Sequence, residues 1–130
     1  MNKVEKLVDC IGPSLRYSGR KALILSIDRA CRIIAEAEVG AFDRFQVTRD
    51  IYHGVAIQLG RSLGTTEQAV YRAVTRCWDG GQNKTLNRII GCSLPQKPKP
   101  SEIILYCAYF VVYGVPYQEA LSHPDLPKPF

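Results

Sequence analysis

Residues 55–78 read VAIQLGRSLGTTEQAVYRAVTRCW, a pattern that predicts two helices joined by a tight turn. The apolar residues of 55–63 recur at helical spacing, and Gly64 follows them at a position where helices commonly end. Thr65 and Thr66 supply hydroxyl groups of the kind that cap the start of a helix. The second helix is therefore predicted over 66–78, and the pair has the spacing of a helix-turn-helix.

The same helical periodicity continues on both sides of this pair and predicts an all-α protein. Gly40 is expected to end a long second helix. A break between two helices is expected at Tyr52-His53-Gly54, so that a new helix begins at residue 55. Outside the pair, helices are predicted over about 4–11, 23–37, 42–51, 83–90 and 101–113. We therefore predict a compact bundle of about six to seven helices built around the helix-turn-helix.

The chain of 130 residues has the length of one domain, and its mixture of apolar and charged residues is typical of a globular protein. We expect residues 1–115 to form the helical domain. Residues 116–130 are predicted to be a proline-containing tail, extended or disordered over Ser122–Phe130.

The last predicted helix, 102–113, is apolar on nearly all of its faces, which indicates burial on more than one side. One face is expected to pack on the core. The other face needs a cover, and the sequence leaves two alternatives open: the tail after residue 114, or a second copy of the chain in a homodimer. Its aromatic side chains that we expect to be exposed are Tyr106, Tyr109, Phe110 and Tyr113.

Five cysteines are scattered through the sequence without a C-x-x-C pair. This pattern predicts neither a disulfide framework nor a metal site. Cys10, Cys31 and Cys107 lie among apolar residues of predicted helices, where cysteine usually packs as a small hydrophobic side chain. The sequence also shows no signal peptide and no apolar run of about 20 residues, so we expect a cytoplasmic protein that does not enter the membrane.

The sequence shows no pattern that is typical of catalysis. His53 and His123 are its only histidines, and neither is obviously paired with a cysteine nucleophile or a carboxylate. There is no P-loop, no dinucleotide-binding fingerprint and no H-E-x-x-H motif. We therefore expect a protein that is not an enzyme, with no catalytic residue, no cofactor, no metal ligand and no small-molecule substrate.

The net charge of +5 arises from one part of the chain. Residues 61–99 carry seven basic and two acidic side chains, whereas basic and acidic residues balance elsewhere. The basic residues of this window are Arg61, Arg72, Arg76, Lys84, Arg88, Lys97 and Lys99. A cationic surface on a helix-turn-helix indicates a polyanionic partner, and double-stranded DNA fits best.

Five short segments of the sequence also carry a resemblance to a known family. They are IGP at 11–13, G at 19, IYxxVA at 51–56, GTTxxxVxRAV at 64–74 and KPSEII at 99–104. In this order they resemble the C-terminal DNA-binding effector domain of the stage-zero sporulation response regulator, the sporulation initiation factor of endospore-forming bacteria. The similarity spans about residues 4–113.

The resemblance implies an all-helical fold, sequence-directed DNA binding and regulation of transcription. The family's regulator carries a phosphoacceptor receiver before this domain, and we expect this chain to lack both the receiver and its phosphorylation switch. Several base-reading side chains also differ from the family. Within the recognition helix Thr65, Thr66, Val70, Arg72 and Ala73 match the family, whereas Ala69, Tyr71, Thr75 and Arg76 replace Arg, Glu, Arg and His.

The second helix of a helix-turn-helix reads base edges in the major groove with its N-terminal part. Gln68 can pair with adenine, Arg72 with guanine, and Tyr71 or Thr75 can meet a thymine methyl group. Arg76 can read a base or hold a phosphate. The predicted base-reading residues of helix 66–78 are therefore Gln68, Tyr71, Arg72, Thr75 and Arg76.

Phosphate contacts are expected from the end of the first helix, the start of the second and the basic segments that follow. The predicted phosphate-binding residues are Arg61, Ser62, Thr65, Thr66, Lys84, Lys97 and Lys99. One alternative to a transcriptional regulator stays open: a protein-interaction module that has lost specific DNA readout. Such a module would pair with itself or with a full-length regulator through the helix over 102–113.

Overall fold

The longest helix of the molecule forms the centre of the fold. In the computed structural model, which describes residues 2–36, 48–80 and 83–120, the described chain contains seven α-helices and no strand. They are α1 (Lys3–Ile11), α2 (Tyr17–Glu36), α3 (His53–Leu59), α4 (Leu63–Asp79), α5 (Asn83–Ile90), α6 (Pro100–Tyr113) and α7 (Tyr117–Ala120). The predicted all-α bundle is therefore confirmed.

The central helix α2 packs mainly against α6 and α4 and also contacts α1. Leu23, Ile27 and Ile34 of α2 are fully buried, because their spacing places them on one side of the helix. The helix α1 contributes the four apolar residues that its periodicity predicted. They are Val4, Leu7, Val8 and Ile11.

The start of α2 lies against the middle of α4. A Cβ atom on Gly19 would lie 3.5 Å from the Cβ of Ala73 and 3.7 Å from the carbonyl oxygen of Ala69. These are ordinary contact distances, so the three small residues allow the two helices to approach closely. The segment before α2 is thereby held beside α4.

The turn between α3 and α4 lies about one helical turn earlier than the sequence predicted. The helix α3 ends at Leu59, and Gly60 follows with φ 67°, in the left-handed region that favours glycine. Ser62 then caps α4, which begins at Leu63. The predicted boundaries at 64 and 66 are wrong because 60–62 offers the same combination of a glycine and a hydroxyl cap.

The predicted interruption at Tyr52-His53-Gly54 is also wrong. A π-helical segment, Thr48–Tyr52, leads directly into α3, and Gly54 lies within the first turn of that helix. The Arg29 side chain of α2 occupies the space that a Cβ atom on Gly54 would need. This glycine therefore serves close packing between helices and does not end one.

The helix α6 is covered in part by α7. Tyr117 is buried, and its ring centroid lies 4.9 Å from that of Tyr106 and 5.1 Å from that of Tyr109. The segment after α6 thus supplies cover, and Tyr117 of the predicted tail packs on the helical domain. None of the four aromatic side chains that were predicted to be exposed is exposed: Tyr109 is buried, and Tyr106, Phe110 and Tyr113 are half-buried.

The cysteines follow the predicted pattern only in part. Cys107 is buried and Cys31 is half-buried, but Cys10 is exposed. The prediction for Cys10 is wrong because the four buried residues of α1 define a face that does not include position 10.

Several predicted features lie outside the described residues. They are the end of the second helix at Gly40, the part of the predicted helix over 42–47 and the tail over Ser122–Phe130. Among the helices that are described, none combines the length and apolar character that crossing a membrane requires.

Candidate nucleic-acid interface

The start of α4 is fixed by hydrogen bonds around Ser62. The Ser62 hydroxyl oxygen accepts a hydrogen bond from the Thr65 backbone N–H at 3.2 Å, and the hydroxyl donates to Thr65 Oγ1 at 2.8 Å. Thr66 points to the interior: its side chain is buried, and its hydroxyl donates to the Ser62 carbonyl oxygen at 3.0 Å. Because it is buried, Thr66 cannot make the phosphate contact that the sequence predicted.

The two sides of α4 have different roles. Its buried side is formed by Thr66, Val70, Ala73, Val74 and Cys77. Gln68, Arg72 and Thr75 follow one another at helical spacing on the opposite side, where Gln68 and Arg72 are exposed and Thr75 is half-buried. Tyr71 and Arg76 flank this line on its two sides and are exposed as well. The five predicted base-reading residues therefore share the outer surface of α4.

A groove with a volume of about 1010 Å³ lies between this outer surface and residues 14–19, which comprise the end of the connection after α1 and the first residues of α2 and are called here the α1–α2 link. We call it the basic groove. It brings together seven of the residues that the sequence predicted as DNA contacts. They are Arg61, Thr65, Gln68, Tyr71, Arg72, Thr75 and Arg76.

The charge of the basic groove is strongly positive. Of the described residues that line it, the basic ones are Arg16, Arg61, Arg72 and Arg76, and the only acidic one is Asp79. None of these four arginines forms a salt bridge within the described part of the chain. Their charges are therefore available to an anionic ligand.

Two arginines elsewhere on the molecule, Arg20 and Arg32, lie beside carboxylates. Arg20 binds the Asp9 carboxylate through hydrogen bonds of 2.8 and 3.1 Å and lies 4.0 Å from the Glu5 carboxylate. The Arg20 guanidinium accordingly lowers the pKa of Asp9. Arg32 lies 3.9 Å from the Asp28 carboxylate. Unlike these two arginines, the four arginines that line the basic groove have no carboxylate partner in the described part of the chain.

One edge of the basic groove is tied to α4 by a hydrogen bond. The Arg76 Nε donates to the Ser14 hydroxyl oxygen at 3.3 Å, across the space between α4 and the α1–α2 link. Gly19, at the other end of this link, lies against α4 as described above. The link is thus positioned by contacts at both of its ends.

The opposite edge of α4 is bordered by the loop 91–99. The Lys97 ammonium donates a hydrogen bond to Thr75 Oγ1 at 3.1 Å and lies 5.0 Å from the centroid of the Tyr71 ring, within the range of a cation–π contact. The neighbouring Pro98 is buried and anchors this part of the loop. Lys97 therefore extends the cationic surface across α4.

Of the predicted phosphate-binding residues, only Arg61 and Thr65 line the basic groove; Thr66 is buried, Lys97 borders α4 outside the groove, and Lys84 and Lys99 lie apart from it. Lys84 on α5 is exposed but does not line it. Lys99 is exposed directly before α6, where its backbone N–H donates to the Glu102 carboxylate at 3.0 Å and helps to start that helix. Ser62 adjoins the groove through its hydrogen bonds to Thr65.

Arg16 is the groove residue that sequence reasoning missed. It lies far along the chain from the basic window 61–99, so no local charge count includes it. The available signal was the basic segment 16–20, which the sequence predicted as a link before the longest helix, although α2 in fact begins at Tyr17. Only the close contact between Gly19 and α4 places that signal beside the predicted site.

Comparison of the chain with protein-family models, curated proteins and solved structures found no match. The described residues also contain no cluster of histidine, cysteine, aspartate and glutamate side chains that could hold a metal ion. The functional conclusion therefore depends on the geometry and charge of the basic groove.

Proposed function

We propose that this protein is a transcriptional regulator that binds double-stranded DNA and reads the major groove with α4. The observation that carries the proposal is the exposed pair Gln68 and Arg72 in a groove whose arginines have no salt-bridge partner among the described residues. The 17 residues of α4 span about 25 Å, and an α-helix fits within the major groove, which is about 12 Å wide.

Gln68 and Arg72 are the foremost base-reading residues of this proposal. They lie on the outermost line of α4, and no side chain of the described chain is hydrogen-bonded to either of them. Thr75 and Tyr71 already contact Lys97, and Arg76 already contacts Ser14. Tyr71 and Thr75 would exchange a protein contact for a DNA contact, and Arg76 can offer only its terminal guanidinium nitrogens while its Nε stays bound to Ser14. The contribution of these three residues to specificity is therefore smaller.

Phosphate binding is assigned to the end of the basic groove at the start of α4 and to the loop that borders α4 on its other side. Arg61 and Thr65 line it at the N-terminus of α4, where the helix dipole favours an anion. Lys97 supplies positive charge on the opposite edge. Together with the resemblance to the sporulation effector domain, this arrangement supports a cytoplasmic regulator of that family. Membership of the family is itself part of what we propose.

Selection of binding sites from a pool of random duplexes tests the proposed function most directly. We expect enrichment of a defined sequence, followed by tighter binding of that duplex than of a scrambled one in fluorescence anisotropy. Specific complexes typically exceed non-specific ones by about 10³-fold or more. A chain that enriches no sequence and binds both duplexes equally would contradict the proposal.

Self-association through α6 is the second candidate function. Phe110 and Tyr113 are half-buried and lie three residues apart on one side of α6, where a second copy could cover them. The burial of Tyr109 and the contact with Tyr117 leave less of α6 available than the sequence predicted. Size-exclusion chromatography with light scattering, with and without duplex DNA, separates the two functions: a stable dimer that ignores DNA even at low salt would favour interaction.

A further inference from the structure

The α1–α2 link forms one wall of the basic groove, although a helix-turn-helix alone does not require a contact there. Ser14, Arg16 and Ser18 of this link line the groove together with the outer face of α4. We propose that the link is a second DNA-contacting element, in which Arg16 binds a phosphate of the same duplex that α4 reads. This inference rests on the proposed function and adds a contact that fixes how the duplex lies on the protein.

Position supports the assignment. The link is held by the Arg76–Ser14 hydrogen bond at one end and by the packing of Gly19 on α4 at the other. Arg16 therefore lies on a segment with a defined position relative to the recognition helix. A phosphate contact from such a segment can set the register and orientation of the duplex.

Charge supports it as well. Arg16 is exposed and has no salt bridge in the described chain, whereas Arg20, one helical turn later, is held by Asp9 and Glu5. The hydroxyl groups of Ser14 and Ser18 lie in the same wall and can donate hydrogen bonds to phosphate oxygens. Arg16 is therefore the cation of the link whose charge remains available.

The distribution of charge favours an extended anion over a compact one. Arg61 and Arg76 both line the groove, and the intervening residues of α4 separate them by about 20 Å along the helix axis. A single phosphate group cannot bridge that distance, whereas the backbone of a duplex presents charges repeatedly along such a length. The occupant that fits is the sugar-phosphate backbone of DNA.

The first experiment measures duplex affinity at several salt concentrations for Arg16→Ala, Arg16→Lys and Arg32→Ala. Arg32 is the matched control, because it is an exposed arginine of α2 whose neighbour is Asp28. Affinity for the duplex falls as the salt concentration rises from about 50 to about 200 mM. If Arg16→Ala has lost one phosphate contact, this fall should be smaller than that of the wild type by a factor of about 3.5. Arg16→Lys should retain the wild-type dependence, and so should Arg32→Ala.

We expect Arg16→Ala to fold like the wild type, so that a change in affinity reports the lost contact. The backbone N–H of Arg20 donates to the Arg16 carbonyl oxygen at 2.8 Å, and alanine at position 16 retains that carbonyl. Circular dichroism and thermal unfolding of each variant check the assumption.

A second experiment locates the contact on the DNA. Single neutral methylphosphonate groups replace the phosphates of the selected duplex one at a time. At one position we expect a loss of affinity for the wild type and for Arg32→Ala but no further loss for Arg16→Ala, because that variant has already lost the contact. Losses that are the same in all three proteins at every position would overturn the inference.

The outcomes distinguish this inference from the proposed function. A wild type that binds no duplex overturns both. A wild type that binds a selected duplex, with Arg16→Ala indistinguishable from Arg32→Ala, overturns only the role of the link. Displacement of the duplex by inorganic pyrophosphate from the wild type but not from Arg16→Ala would assign the groove to a compact anion and overturn the inference.

Discussion

Replacement of Ser62 by alanine tests where the recognition helix begins and what holds its first turn. The Ser62 hydroxyl oxygen accepts the Thr65 backbone N–H at 3.2 Å, and alanine cannot replace this acceptor. Loss of a serine N-cap lowers stability by about 1 kcal/mol. For a domain of this size, that corresponds to a decrease of about 3–5 °C in the melting temperature. Urea unfolding monitored by circular dichroism measures the change.

Thr65→Ala is the matched control for this prediction. Thr65 is exposed inside the first turn of α4, and its side chain is engaged only in a hydrogen bond with the Ser62 hydroxyl at 2.8 Å. Alanine has a higher helix propensity than threonine, so the two effects should cancel to within about 0.5 kcal/mol. A loss of about 1 kcal/mol in Thr65→Ala with none in Ser62→Ala would place the cap at residue 65 and refute the boundary seen in the structure.

Ser62→Asp separates folding from binding. Aspartate is as good an N-cap as serine, and its charge suits the positive end of a helix, so stability should be retained. The added negative charge lies beside Arg61 and Thr65 of the basic groove, so the affinity for duplex DNA should fall. Stable protein with unchanged affinity for DNA would show that this end of α4 lies away from phosphate.

Three further predictions follow from other residues. Arg72→Ala should weaken binding to the selected duplex by about 1–3 kcal/mol and leave a scrambled duplex nearly unaffected in anisotropy titrations; equal losses on both would assign Arg72 to phosphate. Gly60→Ala should lower the free energy of unfolding in urea by about 1–2 kcal/mol, because φ is 67° and no atom lies within 4 Å of the added Cβ, so backbone strain alone acts. Gly64→Ala, within the exposed first turn of α4, should raise that free energy by up to about 1 kcal/mol. If Gly60→Ala stabilised the protein and Gly64→Ala destabilised it, the turn would lie at residue 64. Burial raises the pKa of the Cys77 thiol to about 11, so the folded chain holds this proton more tightly than the unfolded chain. The resulting stability is complete below a pH of about 8.5 and is lost as the pH rises toward the folded pKa; urea unfolding at increasing pH should show the decline, and Cys77→Ala should make it shallower.

The sequence predicted the helices well where one local signal dominated. The four apolar residues of α1 and the following Gly12 predicted a helix that ends at residue 11, as observed. The helix α5 likewise has the predicted limits, Asn83–Ile90. The turn before α4 was misplaced because two glycines, at 60 and 64, are each followed by a hydroxyl residue that can cap a helix. In the folded chain Gly60 ends α3, Ser62 caps α4 and Thr66 is buried within the first turn, and this burial is not visible in the local sequence.

The candidate site was predictable on α4 and unpredictable beyond it. Helical spacing alone places Gln68 and Arg72 on the side opposite Val70 and Ala73. Arg16 could not be assigned to the same surface, because the contact that brings the link to α4 depends on how two helices pack and not on local sequence. Lys97 was included for its charge, but its contact with Thr75 likewise arises from tertiary structure.

The turn Gly60–Ser62 has a consequence for how α3 and α4 meet any ligand. Gly60 closes α3 with its backbone N–H on the Ile57 carbonyl oxygen at 3.1 Å, and Ser62 closes the start of α4, so both ends of a very short connection are tied down. The angle between the two helices is therefore fixed by hydrogen bonds at both ends of the turn. The conformational entropy of that backbone is already lost in the free protein, so the proposed binding of DNA would not require this turn to be ordered.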